Sequence, residues 1–422
     1  MKNVMVFSCG SLPAIDINFA LRGNKEYRVY GASSYDDHGI YIYENYIGNV
    51  PFIFESDFLP RFNRILDEYQ IDFIIPLHES MILFFQEHID EIHATVISSC
   101  YKTSELCRFK SKTYKALEMF DFIPKTYTVN QVDSLPVFIK KDEDQGARNA
   151  YKVTDRETLN VYGNMPGMLI CEYLPDEEVT VDCFTDRHGT LRFCNPRVSD
   201  RILAGIAVHA RRLQNNEEIS DIAQKINSAI SFRGPWFFQV KKDVNGKFKL
   251  LEIASRFAAA FSISRCMDIN LPLMAIRDFD GKDVDFSYND IAIEADKALF
   301  GRYTMDCGYS RVFLDDAAVF FNNTGIDSMV MMYLYQCVNN NRKIVLLTNE
   351  VNRCLAQLRE ARIAKDLFSS IQLITSEELT ELNFSDSIFI SRNEQNRATL
   401  RKEKNILCFE PTIIEALLIW NG

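Results

Sequence analysis

A hairpin with a polar face is the part of this sequence that could most directly do chemistry. The run QVKKDVNGKFKLLEIASR begins at residue 239 and is centred on Asn245-Gly246. Asn-Gly is a strong signal for a two-residue hairpin turn, because both turn residues must accept a positive φ. A two-residue loop would place Asp243 opposite Phe248 and would fix the pairing of the whole hairpin.

The register of this hairpin predicts a metal site. Continued outward, it places Gln239 directly opposite Glu252, and opposed residues share a face with Cβ atoms about 5 Å apart. Two oxygen-bearing side chains on one face suit Mg²⁺, which takes oxygen ligands. Leu251 and Ile253 would point the other way, into a core. The alternative is a half-buried amphipathic hairpin whose polar face is solvated.

Composition is that of an ordinary globular protein. The chain has 422 residues, of which 47% are apolar and 25% are charged, and this length allows two to three domains with sizeable cores. The net charge of −11 argues against generic binding to nucleic acid or anionic membranes. It is compatible with a local basic pocket for a nucleotide.

Cysteine usage and hydropathy bear on the location of the protein. Eleven cysteines are scattered without a CxxC pair, which is typical of reduced thiols in a cytoplasm and not of a disulfide framework. No apolar run has the length of a membrane span, and the start MKNVMVFSCGSLP is interpreted as a strand entering a turn, not as a signal peptide. We expect a cytoplasmic protein without membrane or nucleic-acid partners. The formation of homo-oligomers is compatible with the sequence.

The first segment, residues 1–105, alternates strand and helix signals. This alternation is typical of a parallel α/β sheet. The loop after the first strand contains Gly10 but no GxGxxG pattern, so a dinucleotide site is not expected.

Two further segments complete an α/β and α+β multidomain protein. Residues 106–305 carry short alternating strands, with helices predicted at Lys110–Phe120 and Glu217–Ser231, and this indicates an antiparallel α+β domain. Residues 306–422 return to strand–helix alternation and end in a predicted helix that reaches Trp420.

Five motifs in the first 300 residues occur in a characteristic order. They are CRFKSKTYKALEMFDFIPKTY (107–127), VFIKKDEDQGARNAYKV (137–153), LICEYLPDEEVTVDCF (169–184), NPRVSDRILAG (195–205) and the hairpin ending in EIASR. This series resembles the ATP-grasp family, in particular the carboxylate–amine ligases related to the carbamoyl-phosphate synthase large subunit. The resemblance implies a Rossmann-like domain followed by an ATP-grasp domain.

The resemblance also implies which residues bind ATP. Lys112 and Lys140 match the two lysines of the first and second motifs, and Lys140 would contact phosphates as a point charge. Glu178, Thr180 and Asp182 would share one face of a strand. The other implied contacts are Glu172, Tyr173 and Leu174 at the adenine ring, Glu178 at the ribose, and Asp182 near the substrate or an arginine.

The implied reaction phosphorylates a carboxylate with ATP, after which an amine attacks the acyl phosphate. Charge develops on the transferred phosphoryl group, so cations must lie around it. Arg197, Arg201 and Arg256 would supply this charge as catalytic residues, because the guanidinium fork suits phosphoryl and carboxylate oxygens. Gln239 and Glu252 would hold Mg²⁺. Taken singly, each of these side chains could also be an ordinary surface or ion-pair residue.

Two departures from the family pattern favour a second interpretation. Ala254 stands where the family's Glu-x-Asn pattern has its second oxygen ligand, and the phosphate loop has only Gly146, with Arg148 as a charged substitute for backbone donors. A nucleotide-binding or regulatory module with little or no turnover is therefore the alternative to a ligase.

The third segment resembles the haloacid dehalogenase fold. In VFLDDAAVFF, Asp315 matches the nucleophile, but Ala317 stands at the acid/base position; Thr348 in IVLLTN matches the second motif. Ser391-Arg392-Asn393 stands where acidic metal ligands are expected, and Lys365 is the only candidate lysine nearby. We expect a degenerate, non-catalytic domain of this fold, or a Rossmann-like accessory domain; phosphatase activity is disfavoured.

Overall fold

The structure is a computed structural model. It describes residues 1–143, 149–203, 206–214, 216–297, 307–321, 325–375 and 378–419, so the loop with Gly146 and Arg148 lies outside the described residues. These residues form two compact units, one up to residue 297 and one from residue 307. Across the described ranges, helices are all too short or too polar to cross a membrane.

The first unit begins with a five-stranded parallel sheet in the order β3-β2-β1-β4-β5. Its strand β1 is apolar on both faces, as expected for a sheet covered by helices on each side. The predicted strand–helix alternation is confirmed, and its Rossmann-like character stays a prediction. The elements are β1 (Lys2–Phe7), α1 (Leu12–Leu21), β2 (Tyr27–Ala32), β3 (Asn45–Ile47), α2 (Phe58–Glu68), β4 (Ile71–Pro76), α3 (Glu79–Glu87) and β5 (Thr95–Val96).

A small antiparallel sheet follows, in the order β6-β9-β7-β8. The helix predicted at Lys110–Phe120 ends earlier, because Leu117 leaves the helical conformation and turns into the core beside Phe122. The elements are α4 (Tyr101–Arg108), α5 (Lys110–Ala116), β6 (Thr126–Tyr127), β7 (Val137–Lys141), β8 (Ala150–Val153), α6 (Arg156–Gly163) and β9 (Met168–Glu172). The described residues up to 297 form one compact unit, so the division at residue 105 stays a prediction.

A larger antiparallel sheet completes the unit, in the order β14-β13-β10-β11-β12-β15. On β10, Val179, Val181 and Cys183 pack into the core formed with α7, as their alternation predicts. The opposite face of the strand is therefore left for polar side chains. The elements are β10 (Glu178–Thr185), β11 (Leu191–Leu203), β12 (Ile206–Arg212), α7 (Glu217–Ala229), β13 (Gly234–Lys242), β14 (Phe248–Ala254), α8 (Leu271–Phe279) and β15 (Glu294–Asp296).

The turn between β13 and β14 differs from the predicted two-residue loop. Lys242, not Asp243, lies opposite Phe248. The Asp243 carboxylate accepts hydrogen bonds from the backbone N–H groups of Asn245 and Lys247 at 2.8 and 3.0 Å. This side-chain cap stabilises a loop that is one residue longer than the Asn-Gly signal alone predicts.

A β-bulge compensates for that shift. Val240 lies opposite Leu250, but Gln239 lies opposite Glu252, so Leu251 is an extra residue without a cross-strand partner. The predicted pairing of Gln239 with Glu252 is confirmed, although the predicted turn is wrong. Ile253 lies in the core as predicted, whereas Leu251 is wrongly predicted there.

The second unit contains a five-stranded parallel sheet in the order β20-β19-β16-β21-β22 and a short hairpin, β17-β18. The predicted final helix is instead a run of 3₁₀ turns, Pro411–Leu417, and Trp420 lies outside the described residues. The elements are β16 (Arg311–Asp315), α9 (Asp316–Val319), β17 (Phe320–Phe321), β18 (Gly325–Ile326), α10 (Ser328–Asn339), β19 (Lys343–Thr348), α11 (Val351–Glu360), β20 (Ser370–Leu373), β21 (Ser387–Ile390), α12 (Glu394–Lys404) and β22 (Leu407–Phe409).

Candidate functional site

A cavity of about 290 Å³ lies between the two antiparallel sheets of the first unit. Its lining carries more positive than negative side chains, although the whole chain is acidic. Low-dielectric walls of one charge sign concentrate counter-ions, so this cavity suits a polyanion. The cationic residues are Lys110, Lys140, Lys141, Arg197, Lys241 and Arg256, and the acidic residues are Glu172, Glu178 and Glu252.

Lys140 connects the two sheets across this cavity. Its residue is only 8% exposed, and its Nζ donates to the Tyr114 hydroxyl at 2.7 Å and to the Leu251 carbonyl at 2.8 Å. Leu251 is the extra residue of the bulge, and the Tyr114 hydroxyl also donates to its carbonyl at 2.8 Å. Burial lowers the pKa of Lys140, because the ammonium has lost water and these oxygens replace only part of it.

A row of polar residues crosses the floor of the cavity. Arg197, Thr180, Gln239 and Glu252 are directly opposed, pair by pair, on β11, β10, β13 and β14. The Gln239 amide Nε2 donates to Glu178 Oε1 at 2.7 Å and to Thr180 Oγ1 at 3.3 Å. These bonds use the side-chain nitrogen Nε2 of Gln239 and leave its side-chain oxygen Oε1 for a ligand.

Two carboxylates of this floor act on each other. Burial raises the pKa of Glu178, and the negative charge of Glu252 raises it further. Lys110 Nζ lies 3.7 Å from Glu252 Oε2 and offsets part of the charge. A cation bound between these oxygens would favour the ionised form of both carboxylates.

The donors fit a Mg²⁺ ion that shares its ligands with a phosphate. Mg²⁺ in nucleotide sites takes one or two carboxylates, while substrate phosphates and water complete the octahedron. Glu252 and the Gln239 carbonyl meet that need. Over the described residues there is no group of three or more His, Cys, Asp or Glu side chains that could hold a metal alone. The protein would therefore supply only part of the coordination shell of the metal.

Arg197 is held in the floor by a buried ion pair. Its Nε lies 2.9 Å and its Nη2 3.4 Å from the Asp182 carboxylate, and both residues are at most 2% exposed. Arg197 lines the cavity and Asp182 does not. The buried Nη1 of Arg197 has no hydrogen-bond partner among the described residues, so the pair presents a fixed guanidinium with unused donors.

Arg256 lines the same cavity, and residues that the sequence did not single out orient it. Its Nε is 3.3 Å from Glu79 Oε1, its Nη1 donates to the Phe257 carbonyl at 3.2 Å, and its guanidinium lies 5.1 Å from the Phe237 ring centre. Glu79 begins α3, far away in the sequence, and Arg108 also approaches it at 3.9 Å. No local pattern marks Glu79, because the contact is purely tertiary.

Another part of the cavity lining is largely apolar and is called the apolar slot here. Pro124, Phe138 and Cys171 line it together with the predicted residues Glu172, Tyr173 and Leu174. One Glu172 oxygen, Oε1, accepts from the Lys125 backbone N–H at 2.8 Å. Part of this carboxylate is therefore used to fix the strand, and the backbone of residues 172–174 borders the slot.

Lys112 was predicted in the site, but the structure does not bring it there. Its Nζ bonds Glu105 at 2.6 Å on an exposed surface, and Lys110 lines the cavity instead. Residues two apart on a helix face different directions. The signal was present in the sequence, because Lys110, Thr113 and Tyr114 recur at the spacing of one buried helix face.

Arg201 is also outside the cavity. It is exposed and forms an ion pair with Asp296 of β15. Alternation along β11 would place Arg197 and Arg201 on one face, but the register with β12 is irregular between Val198 and Arg201. An irregularity of this kind changes the face on which later side chains emerge.

Polar residues also meet at the carboxyl ends of strands in the second unit. Asp315 caps α9 by accepting from the Ala318 N–H at 2.8 Å, and Ser391 Oγ donates to its carboxylate. The hydroxyl of Thr348, which matches the second motif, donates to Asp316 at 2.7 Å. Burial raises the pKa of Asp315 to about 6. Arg392 pairs with Asp327, Asn393 caps α12 and Lys365 is exposed in a 3₁₀ turn.

Comparison with known proteins identifies the fold around the cavity. A family model described as ATP-grasp in the biosynthetic pathway with Ter operon matches residues 164–296, and no curated protein sequence matches the chain. Together with the solved structures below, this match shows that the protein has an ATP-grasp fold.

Three solved structures illustrate the likeness. N5-carboxyaminoimidazole synthetase from Staphylococcus aureus, complexed with ADP, is 12% identical with a TM-score of 0.56, over 68% of this chain and 79% of that one. The biotin carboxylase domain of 2-oxoglutarate carboxylase from Hydrogenobacter thermophilus, a dimer with MgADP, ADP and bicarbonate, is 14% identical with a TM-score of 0.55, over 69% and 72%. L-amino acid ligase from Bacillus licheniformis is 16% identical with a TM-score of 0.50, over 66% and 74%.

The buried ion pair of the cavity floor predicts a double-mutant result. Asp182→Ala should lower the free energy of unfolding by about 3–5 kcal/mol, because it leaves the Arg197 guanidinium buried without its partner. Asp182→Ala combined with Arg197→Met should lose clearly less than the two single variants added together. Urea denaturation of the four proteins measures this, and strictly additive losses would contradict the pairing.

The raised pKa of Asp315 predicts that the stability of the second unit depends on pH. Its folded pKa of about 6 exceeds its ordinary value of 3.8, so between these values the unfolded chain has released a proton that the folded protein still holds. Stability should therefore fall as the pH rises from about 4 to about 6, by up to about 3 kcal/mol. Asp315→Asn should remove this slope in denaturation measured across the window, whereas parallel curves for variant and wild type would refute the assignment.

Proposed function

We propose that the protein is an ATP- and Mg²⁺-dependent ligase that joins a carboxylic acid to an amine through an acyl phosphate. The observation that carries the proposal is one cavity lined by Lys110, the buried Lys140, the opposed Gln239–Glu252 pair and Arg256. The ATP-grasp fold supports it, and one structural neighbour is named as an L-amino acid ligase. Membership of the carbamoyl-phosphate synthase-like branch is part of this proposal.

ATP would lie along the cavity with its adenine in the apolar slot. The backbone at Tyr173 and Leu174 would read the ring edge beside Glu172, and Glu178 would bind the ribose hydroxyls. Lys140 and Lys110 would contact the phosphates as point charges. In this proposal Lys110 takes the role that the sequence motif had suggested for Lys112, since the Lys112 ammonium is engaged with Glu105 outside the cavity.

Mg²⁺ would be held by Glu252 and the Gln239 carbonyl oxygen together with ATP phosphates. When bound, it would neutralise phosphate charge and fix the phosphate orientation. The amide of Gln239 is oriented for this task, because its nitrogen is bonded to Glu178 and Thr180.

The acid would bind at the end of the cavity near Arg256 and Arg197. Its carboxylate oxygen would attack the γ-phosphorus, ADP would leave, and the two guanidinium groups would stabilise the charge on the phosphoryl oxygens. Phe237 and the small residues 258–260 border this end and would exclude water from the acyl phosphate. The amine would then attack the acyl carbon and release phosphate.

A nucleotide-binding module with little turnover is the second candidate. The observation that favours it is Ala254, which is buried in a small apolar cluster with Phe237 and Ala258. A second oxygen ligand is therefore missing where the ATP-grasp pattern has one. Acid-dependent release of ADP separates the two candidates, since a pure binding module would not show it.

The other assignments complete the proposal. We propose an α/β domain at 1–105, the ATP-grasp domain at 106–305 and a degenerate haloacid dehalogenase-like domain at 306–422. Ser391 stands where a metal ligand would be expected, and its hydroxyl donates a hydrogen bond to the Asp315 carboxylate. This contact supports a non-catalytic role. All eleven cysteines are free thiols, which fits a reducing compartment such as the cytoplasm.

Nucleotide binding tests the lysine assignment. Lys110→Met should weaken the binding of MgATP about 10- to 100-fold, because it removes one charge-assisted contact with phosphate. Lys112→Met is the matched control from the same helix and should bind like wild type. Isothermal titration calorimetry measures both, and a larger loss for Lys112→Met than for Lys110→Met would reverse the assignment.

Turnover tests the ligase itself. Carboxylic acids are tested in pairs with amines, and ADP release is measured. For an accepted acid, hydroxylamine in place of the amine should give a hydroxamate. Glu252→Gln should lose about 10²-fold or more of kcat while still folding, since it removes a charged ligand beside the phosphates. An unchanged kcat with unchanged Mg²⁺ dependence in this variant would contradict the metal assignment, and acid-independent ADP release would contradict the ligase.

A further inference from the structure

Two cysteines lie directly opposite each other on neighbouring strands of the larger sheet. Cys183 on β10 is in register with Cys194 on β11. Both lie on the core side of the sheet: Cys183 is a member of the core and Cys194 packs against its margin. The pair is thus on the face opposite the cavity and takes no part in the proposed ligase chemistry.

The register satisfies the distance requirement of a disulfide. Directly opposed residues of antiparallel strands have Cα atoms about 4.5–5.5 Å apart, and disulfides span Cα separations of about 4.4–6.8 Å. Opposed side chains also leave the sheet in the same direction. The register is therefore compatible with a disulfide between these two residues.

The two thiols differ in their access to solvent. Cys194 is partly exposed, whereas Cys183 is 1% exposed. Burial raises the pKa of Cys183 well above that of an ordinary thiol, which makes it a poor first target for an oxidant. An oxidant arriving from solvent therefore meets Cys194 first, and Cys183 is the thiol next to it.

We propose that Cys183 and Cys194 form a reversible intramolecular disulfide when the protein meets a peroxide. Hydrogen peroxide oxidises the Cys194 thiol to a sulfenic acid and is itself reduced to water. The Cys183 sulfur then attacks the Cys194 sulfur, the S–S bond forms, and the sulfenic oxygen leaves as a second water with the Cys183 proton. A dithiol reductant returns both thiols.

This disulfide would link β10 covalently to β11, two of the strands that form the cavity floor. Asp182 and Asn195 are the next opposed pair after Cys183 and Cys194, and Asp182 holds Arg197. A disulfide stabilises a protein mainly by reducing the conformational entropy of the unfolded chain. The Cys183–Cys194 disulfide should therefore raise the thermal midpoint of unfolding by several degrees. The same link should restrict separation of β10 from β11 beside the Asp182–Arg197 pair.

Differential alkylation tests the proposal on the full-length protein. Reduced protein is treated with hydrogen peroxide, free thiols are blocked with iodoacetamide under denaturing conditions, and peptides are mapped by mass spectrometry. The expected result is a cross-linked peptide pair joining Cys183 to Cys194, with the loss of two hydrogen atoms, that dithiothreitol reverses. Blocked, unlinked Cys183 and Cys194 after oxidation of the exposed Cys266 would overturn the proposal.

Three variants guard against a folding artefact. Cys194→Ser should abolish the cross-link and the rise in thermal midpoint, whereas Cys266→Ser, at an exposed site, should retain both. Cys183→Ala should leave a sulfenic acid at Cys194 that dimedone labels. A cross-link from Cys194 to another cysteine in the wild-type map, or dimedone labelling of Cys183 in Cys194→Ser, would contradict the stated order of reaction. None of these outcomes depends on ATP turnover.

Discussion

The buried ammonium of Lys140 is the interaction on which the cavity depends. A buried cation is costly unless polar atoms replace its lost water. The Leu251 carbonyl and the Tyr114 hydroxyl supply those atoms, and Leu251 is free to do so because the bulge gives it no cross-strand partner. The same extra residue places Glu252 opposite Gln239. One irregularity in β14 therefore joins the two sheets and aligns the proposed metal ligands.

The charges around Lys140 leave the cavity incomplete without a ligand. Burial and, after it, the negative charge of Glu252 raise the pKa of Glu178. Among the described residues, the buried Nη1 of Arg197 has no hydrogen-bond partner. A cation between the carboxylates and an anion against the lysines and arginines would satisfy both sets at once. Magnesium with a nucleotide triphosphate has this combination of charges, and the ATP-grasp fold is consistent with it.

The sequence predicted the site where chemistry and local periodicity agreed. The strand alternation of β10 and the position of Lys140 follow from period and motif, and the Gln239–Glu252 pair was found because two errors cancelled: the real turn is one residue longer and the bulge restores the register. The motif alone favours Lys112, whereas the spacing of the buried helix face favours Lys110. The sequence therefore predicts contacts within an element better than contacts that depend on irregularities.

Contacts between distant segments could not be predicted. Glu79 orients Arg256 across 177 positions of sequence, and Arg201 lies outside the cavity because β11 is irregular.

A crystal structure with MgATP, or with a non-hydrolysable analogue, would show directly whether the nucleotide binds in this cavity. We expect the phosphates at Lys110 and Lys140, the adenine beside Tyr173 and Leu174, and a metal at Glu252. A nucleotide bound elsewhere, with Lys140 still bonded only to Leu251 and Tyr114, would contradict this expectation.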